Sequence, residues 1–360
     1  MTSDSQIERM IETFETALVG RPNYAIGMIG LAELVASKKC RLRAFELCQK
    51  ARGAAPGDAE VLARARRLLS SLVPRYHVPM INDSRRNAAW QEALAKRVRP
   101  GTRALEIGTG AGMLALMAAR AGAELVTTCE RHPVLAAVAR EMARRNGLAA
   151  CIDVIEKPSQ ELRLGQDIAQ RADLLFCDIF GDSLVDLAPI GAIADARRRL
   201  TKPDAAVIPA AGSIRLALAE WKNYPMHGHV DRAAGFDLTA FSDFVPSSLL
   251  VAIGDDGLML RSQDVQAFRY DFSRTSPTRQ DRTEVLLRAH ADAVVNGIIH
   301  WLRLELDDDI VLETRPEPGA TYFLPPRFWP LPKPLSMRRG DGLRVGIAHG
   351  DKQLTIWPIE

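Results

Sequence analysis

The chain has 360 residues, enough for two or three domains with sizeable cores. Its apolar fraction of 47% and charged fraction of 25% match an ordinary soluble protein, and a net charge of +3 is too small to argue for a nucleic-acid partner. No stretch approaches the roughly twenty apolar residues of a membrane span, the opening MTSDSQIERM has no apolar signal-peptide core, and Cys40, Cys48, Cys129, Cys151 and Cys177, scattered and odd in number, read as reduced thiols in a cytoplasmic protein.

Residues 1 to 73 read as helices. Ser5 to Val19 is amphipathic, with Ile7, Met10, Ile11, Phe14 and Leu18 on one face. A helical pair follows, Ala25–Val35 and Leu42–Ala51, closed by Pro56. Ala32, Ala44, Cys48, Ala51 and Pro56 fall at the small-residue and proline positions of a 34-residue tetratricopeptide repeat, and a plain helical hairpin accounts for them equally well. Asp58 caps a further helix to Leu72. The polar stretch Arg75 to Trp90 sets His77, Met80, Asp83 and Arg86 three residues apart, on one face of a helix that Pro79 precedes or breaks. It reads either as a cover for a bound cofactor or as a solvated linker.

Residues 103–130 organise the chain. Ala104 to Ile107 is a buried strand, Gly108, Gly110 and Gly112 form a turn, an Ala-rich helix runs to about Ala121, and the strand Leu125–Cys129 ends on Glu130. The first two glycines let the backbone turn sharply and let a ligand lie against it. Glu130 stands where a carboxylate takes both hydroxyls of a ribose. A glycine turn of this kind serves dinucleotides too. Three details favour S-adenosylmethionine: Glu106 lies two residues before the first glycine, the next acid follows about twenty residues on, and Met113 occupies the dinucleotide motif's third-glycine position.

Alternation continues with a helix His132–Asn146, strands Ile152–Ile155 and Leu174–Asp178, a helix Ile190–Leu200 and a strand Ala205–Pro209. This is an α/β fold with a doubly wound sheet over residues 74–210. From residue 211 to 360 period-two alternation takes over, in Ser213–Leu218, Leu249–Ile253, Val265–Asp271, Gly297–Leu306, Leu343–Ala348 and Leu354–Trp357, with prolines between. These runs predict a β-barrel or sandwich, interrupted by an insertion at about 222–245.

The strand ending at Asp178 runs into a loop carrying Asp182 and Asp186. Ligands bind at the carboxyl ends of strands in such sheets, so this loop faces the crevice of Glu106 and Glu130. Two carboxylates beside a sulfonium suit a planar guanidinium with its five N–H donors, although a solvated acidic loop has the same composition.

These residues resemble the protein arginine methyltransferase family, and within it the branch with N-terminal tetratricopeptide repeats. His77 to Asn87 looks like the family's H-x-x-M-x-x-D-x-x-R helix, Glu106 to Gly112 like its first motif, and Glu130 like its ribose-binding acid. The resemblance implies that Ser159 and Gln160 contact the adenine, that Arg86 pairs with the methionine carboxylate, that Met80 lines the wall near the methyl, and that His77 belongs to the same site. It implies an S-adenosylmethionine-dependent methyltransferase acting on arginine in a protein or peptide, and a homodimer, Gly235 to Leu238 opening the dimerisation arm. Two departures stand out. The family's two glutamates, nine residues apart, are here Asp178 and Asp186, eight apart, and the Thr-His-Trp near the end of its barrel is Tyr322-Phe323-Leu324. Methylation of another small or peptide-borne nucleophile, and a cofactor-binding scaffold without transfer, therefore stand as alternatives.

Elsewhere His300-Trp301 reads as a barrel-core pair, Asp307-Asp308-Asp309 as an acidic turn rather than a metal site, and Arg197-Arg198-Arg199 as a solvated helix face.

Overall fold

A computed structural model of the chain describes residues 4–21, 23–181, 184, 187–224, 228, 230–251, 255–274, 282–317, 324–349 and 354–359. Four helices come first: α1 Asp4–Gly20, α2 Ala25–Ser37, α3 Arg41–Ala54 and α4 Ala59–Leu72. Ala32, Ala44, Cys48 and Ala51 are wholly buried between α2, α3 and α4, as small residues must be where helices approach closely. Asp58 accepts from the N–H groups of Glu60 and Val61, capping α4 as expected.

The expected single helix over 77–86 is two: α5 His77–Asn82 and α6 Ser84–Arg97. Asp83 divides them. Its backbone is extended and its carboxylate accepts from the Arg86 N–H at 3.0 Å, so it starts a new helix instead of continuing the old one. Pro79 sits in the first turn of α5, where its missing N–H is no loss.

The α/β unit then runs β1 Arg103–Ile107, α7 Met113–Arg120, β2 Leu125–Cys129, α8 Pro133–Arg145, β3 Ile152–Ile155, β4 Ala172–Cys177, α9 Leu187–Leu200 and β5 Thr201–Ile208. Its five strands are parallel in the order β3-β2-β1-β4-β5. The order reverses between β1 and β4, and that switch point is where such sheets bind ligands. Of the first segment, α3 packs on α8, and Arg41 Nη1 lies 3.3 Å from His132 Nε2 at the start of α8.

The remaining strands are β6 Ala211–Trp221, β7 Arg232–Ala233, β8 Phe236–Asp237, β9 Leu249–Leu250, β10 Leu258–Leu260, β11 Val265–Asp271, β12 Arg282–Arg288, β13 Ala293–Glu305, β14 Val311–Glu313, β15 Arg327–Met337, β16 Gly342–His349 and β17 Leu354–Ile359. A seven-stranded sheet centres on β6, β13 and β15, and β12-β16-β17 form a second sheet sharing its core. β7 and β8 make a small hairpin inside the insertion, where the sequence pattern shows no strand.

β15 is absent from the expected strands because Pro330, Pro332 and Pro334 read as breaks. Placed at every second residue, they withhold N–H groups from one edge only, and the pairing with β13 jumps from Leu335 to Pro330 across them. His300 and Trp301 are fully buried in this domain, the Trp329 indole donating to His300 Nδ1 at 2.8 Å.

Candidate active site

The site is built where β1 and β4 end side by side. After β1, Gly108, Gly110 and Gly112 all have positive φ, of 78°, 54° and 86°. A Cβ on Gly108 would lie 2.4 Å from the side chain of Ile179, the residue after Asp178 at the end of β4. The first glycine therefore lets the two strand ends close on each other. A Cβ on Gly110 would meet the His77 imidazole at 3.3 Å, so α5 lies against the turn. Gly112 faces Ala139 of α8 and serves helix packing.

Two buried carboxylates frame the turn. Glu130 accepts from the Gly110 N–H at 3.0 Å and from the His132 N–H at 2.8 Å, which fixes the acid against the glycines. Glu106 is 1% exposed and accepts from the Thr128 hydroxyl at 2.6 Å. Burial pushes its pKa up to about 7, against the pull of the hydrogen bond from Thr128. Such a group is poised to ionise when a cation arrives.

His77 is 8% exposed, and among the described residues neither of its ring nitrogens has a hydrogen-bond partner. Burial keeps the ring neutral, and Glu130 opposes that only in part. A buried imidazole with unsatisfied nitrogens costs free energy unless a ligand pairs with it. Together with the glycine turn and Glu130, it fits a polar, sugar-bearing cofactor. Met80 is half-buried on the same short helix.

Ser159 is buried in a turn of 3-10 helix over Ser159–Glu161. Arg199 of α9 holds this turn. Its guanidinium donates to the backbone carbonyls of Ser159 at 3.1 Å and Leu162 at 2.7 Å, and is itself steadied by Asp195. The expectation that Arg197 to Arg199 is a solvated face fails for two of the three, since Arg197 is also buried enough to lower its pKa. The missed signal is an Arg four residues after an Asp on one helix, which pre-orients a guanidinium.

Arg86 and Asp178 form a deeply buried ion pair, with side chains 3% and 4% exposed. Arg86 Nε and Nη2 each lie 2.6 Å from the same oxygen, Asp178 Oδ2. The resemblance assigns Arg86 to a cofactor carboxylate; here the carboxylate it meets is the protein's own. Asp186, the other expected carboxylate, lies outside the described residues, as do Tyr322 and Phe323.

A pocket of about 400 Å³, counted out to bulk solvent, opens beside Asp178. Asp83 and Arg85 line it from the start of α6; Leu302, Leu304 and Leu324 line it from the β domain. The two domains are fastened next to it. Arg97, at the end of α6, donates from Nε to Asp307 at 3.0 Å, and Lys96 pairs with Asp307 at 3.4 Å and with Asp309. The acidic turn is thus a staple, and among the described residues no cluster of metal-binding groups occurs.

Over 301 residues the chain is 30% identical to an arginine N(omega)-methyltransferase of Streptomyces achromogenes subsp. streptozoticus, spanning 83% of this chain and 82% of that one. The chain belongs to the protein arginine methyltransferase family. Membership makes it an S-adenosylmethionine-dependent methyltransferase. The chain is also 30% identical over 250 residues to protein arginine N-methyltransferase 7 of Drosophila grimshawi, covering 64% of this chain but 35% of that one. Residues 90–208 match the ribosomal protein L11 methyltransferase (PrmA) family, which is the glycine-turn domain alone. In fold the chain resembles the PRMT1 enzyme–prozyme heterotetramer of Trypanosoma brucei, solved with AdoHcy, at a TM-score of 0.66 and 19% identity over 79% of this chain and 98% of that one. It also resembles protein arginine methyltransferase 10 of Arabidopsis thaliana, at a TM-score of 0.63 and 18% identity, covering 76% of this chain and 86% of that one.

Proposed function

We propose that the chain transfers a methyl group to a guanidino nitrogen of arginine. One observation carries the reading: Asp178 already holds a guanidinium. Arg86 Nε and Nη2 both go to Oδ2, which leaves Oδ1 for a second guanidinium entering through the pocket. Arg86 acts as a positioning residue that fixes the plane of the carboxylate. Asp178 orients the incoming guanidinium and localises its charge on the nitrogens it binds, so that the remaining nitrogen keeps electron density for attack. Asp186, on the same loop, is the expected second carboxylate. The cofactor supplies an electrophilic methyl group on a sulfonium; His77, Gly108, Gly110 and Glu130 would hold it, with Ser159 and Gln160 at the adenine. The relatives differ in the acceptor their names state, arginine in one and protein arginine in the other. Incubation with labelled cofactor and guanidino acceptors tests the reading. Label on arginine is expected, and Asp178→Asn is expected to remove it. A chain that binds S-adenosylhomocysteine yet labels no guanidino acceptor overturns the reading in favour of a scaffold.

We also propose that the chain self-associates through the insertion. Phe236, Phe241 and Phe244 are 69%, 62% and 76% exposed there, and grouped apolar side chains of that size mark an interaction surface. Light scattering should give twice the 39.6 kDa monomer mass. A monomer at micromolar concentration refutes the proposal, and Phe241→Asp with Phe244→Asp should produce one.

A further inference from the structure

We propose that the N-terminal helical segment completes the cofactor site: Arg41 of α3 fixes the His132 ring so that its Nδ1–H is offered to a ribose hydroxyl oxygen. This rests on the reading of Glu130 as the group that takes the ribose.

The argument begins with a tautomer. Arg41 Nη1 lies 3.3 Å from His132 Nε2. A guanidinium has donors only, so Nε2 must accept, and a neutral imidazole with a bare Nε2 carries its proton on Nδ1. Nδ1 is buried, and among the described residues it has no hydrogen-bond partner. A buried N–H with nothing to receive it costs free energy that a ligand oxygen would offset.

The surroundings select the ligand. His132 stands at the start of α8, two residues after Glu130, and its backbone N–H donates to Glu130 Oε1 at 2.8 Å. Nδ1 is the ring nitrogen nearer that backbone, whereas Nε2 reaches away to α3. His77 is a neighbour of both: burial lowers its pKa, Glu130 raises it and His132 lowers it again, and its own two nitrogens are buried and unpaired. Three buried ring nitrogens thus gather around one carboxylate, and that set matches a diol. Glu130 Oε1 and Oε2 each accept one main-chain N–H, from His132 and Gly110, and each keeps a lone pair for a ribose O–H. A hydroxyl that gives its proton to Glu130 keeps lone pairs on its own oxygen, and in a buried site those call for a donor. The His132 Nδ1–H supplies one. Arg41 belongs to a segment with its own separate core, so the contact of α3 with α8 carries that segment's influence to the residue beside the ribose acid.

The test has two parts. NMR of the His132 ring nitrogens in the full chain should show Nδ1 protonated and Nε2 bare; a proton on Nε2 overturns the proposal. Calorimetry then gives Kd for S-adenosylhomocysteine and for its 2′-deoxy and 3′-deoxy analogues. His132→Leu should weaken S-adenosylhomocysteine about tenfold, the size of one buried hydrogen bond. One analogue, lacking the hydroxyl that Nδ1 serves, should bind the parent and His132→Leu alike. His132→Asn, whose amide N–H stands where Nδ1 does, should recover most of the affinity. Arg41→Met should weaken S-adenosylhomocysteine about threefold and spare the same analogue. Loss by one factor for all three ligands, or His132→Asn no better than His132→Leu, would mean packing alone and overturns the proposal. A parent that binds S-adenosylhomocysteine with no penalty for either missing hydroxyl would place the ribose away from Glu130 and sink the underlying reading instead.

Discussion

Replacing Asp178 by Asn should separate the stability role of this carboxylate from its chemical one. Its partner Arg86 is 3% exposed at the side chain, so water screens the pair little. Removing one member of a buried pair typically costs about 3–5 kcal/mol, because the other charge stays buried without compensation. Asn keeps one neutral acceptor oxygen for the Arg86 N–H groups, which sets the expected loss near the lower end, about 3 kcal/mol. At roughly 2 °C per kcal/mol for a chain of this size, the melting temperature should fall by about 6 °C. Activity should fall much further, by at least the roughly 10²–10³ that a single preorganised electrostatic group is worth. Cofactor affinity should stay within a few-fold, since Glu130, His77 and the glycine turn are untouched. Calorimetric melting, labelled methyl transfer and titration with S-adenosylhomocysteine measure the three. An Asp178→Asn protein that melts with the parent would mean that Arg86 is not paired with this carboxylate. Retained turnover would mean that the acceptor is held elsewhere.

On the cofactor side, Glu106, with its pKa raised to about 7 by burial, is largely protonated below that pH; a bound cation should ionise it, so cofactor binding at pH ~6 should release a proton that calorimetry in buffers of different ionisation heat detects. By the same shift the folded state holds this proton more tightly than the unfolded chain does, so its contribution to stability is present below the ordinary carboxyl range and is lost as pH rises through about 7; Glu106→Gln should remove that slope from melting curves between about pH 5 and 8. Arg199→Ala should weaken cofactor binding through the Ser159 turn while turnover at saturating cofactor recovers, and an unchanged affinity would show that the turn does not need it. Gly108→Ala should push Ile179, and with it the end of β4, away from β1, lowering kcat more than it raises the acceptor KM; a fully active variant would mean that Ile179 simply rotates aside.

The glycine turn and the carboxylates beside it are legible in the sequence because their signals are local. Glu106, three glycines and Glu130 follow each other within one βαβ unit, and the chain needs only to fold that unit to bring them together. What lies outside that unit is less so. Arg199 acts on main-chain carbonyls 37 and 40 residues earlier, and its only local hint is the Asp195 four residues before it. Asp83 reads as one position on a continuous helical face, whereas its short carboxylate competes for the Arg86 N–H and ends the helix instead. β15 is hidden by prolines whose alternation, once seen, explains why the strand tolerates them. Arg85 escapes notice beside Arg86, since adjacent residues on a helix point about 100° apart and only a structure shows which wall each one reaches.

The helix α6 ties these elements into one device. Its start supplies Arg85 to the pocket and Arg86 to Asp178, while its end supplies Lys96 and Arg97 to the Asp307–Asp309 turn. That turn directly follows β13, the strand that carries Leu302 and Leu304 to the opposite wall. Asp307 is buried, and although burial alone would raise its pKa, the hydrogen bonds from Arg97 and the Asp308 N–H together with the charges of Arg97 and Lys96 outweigh it and hold the carboxyl below its ordinary range. The charge is therefore kept through neutral pH, and the staple with it. One rigid helix thus sets the distance between the charged and apolar walls, and a shift at its far end moves both Arg85 and Arg86 relative to the leucines. The shape of the proposed acceptor pocket depends on an ion pair that does not line it.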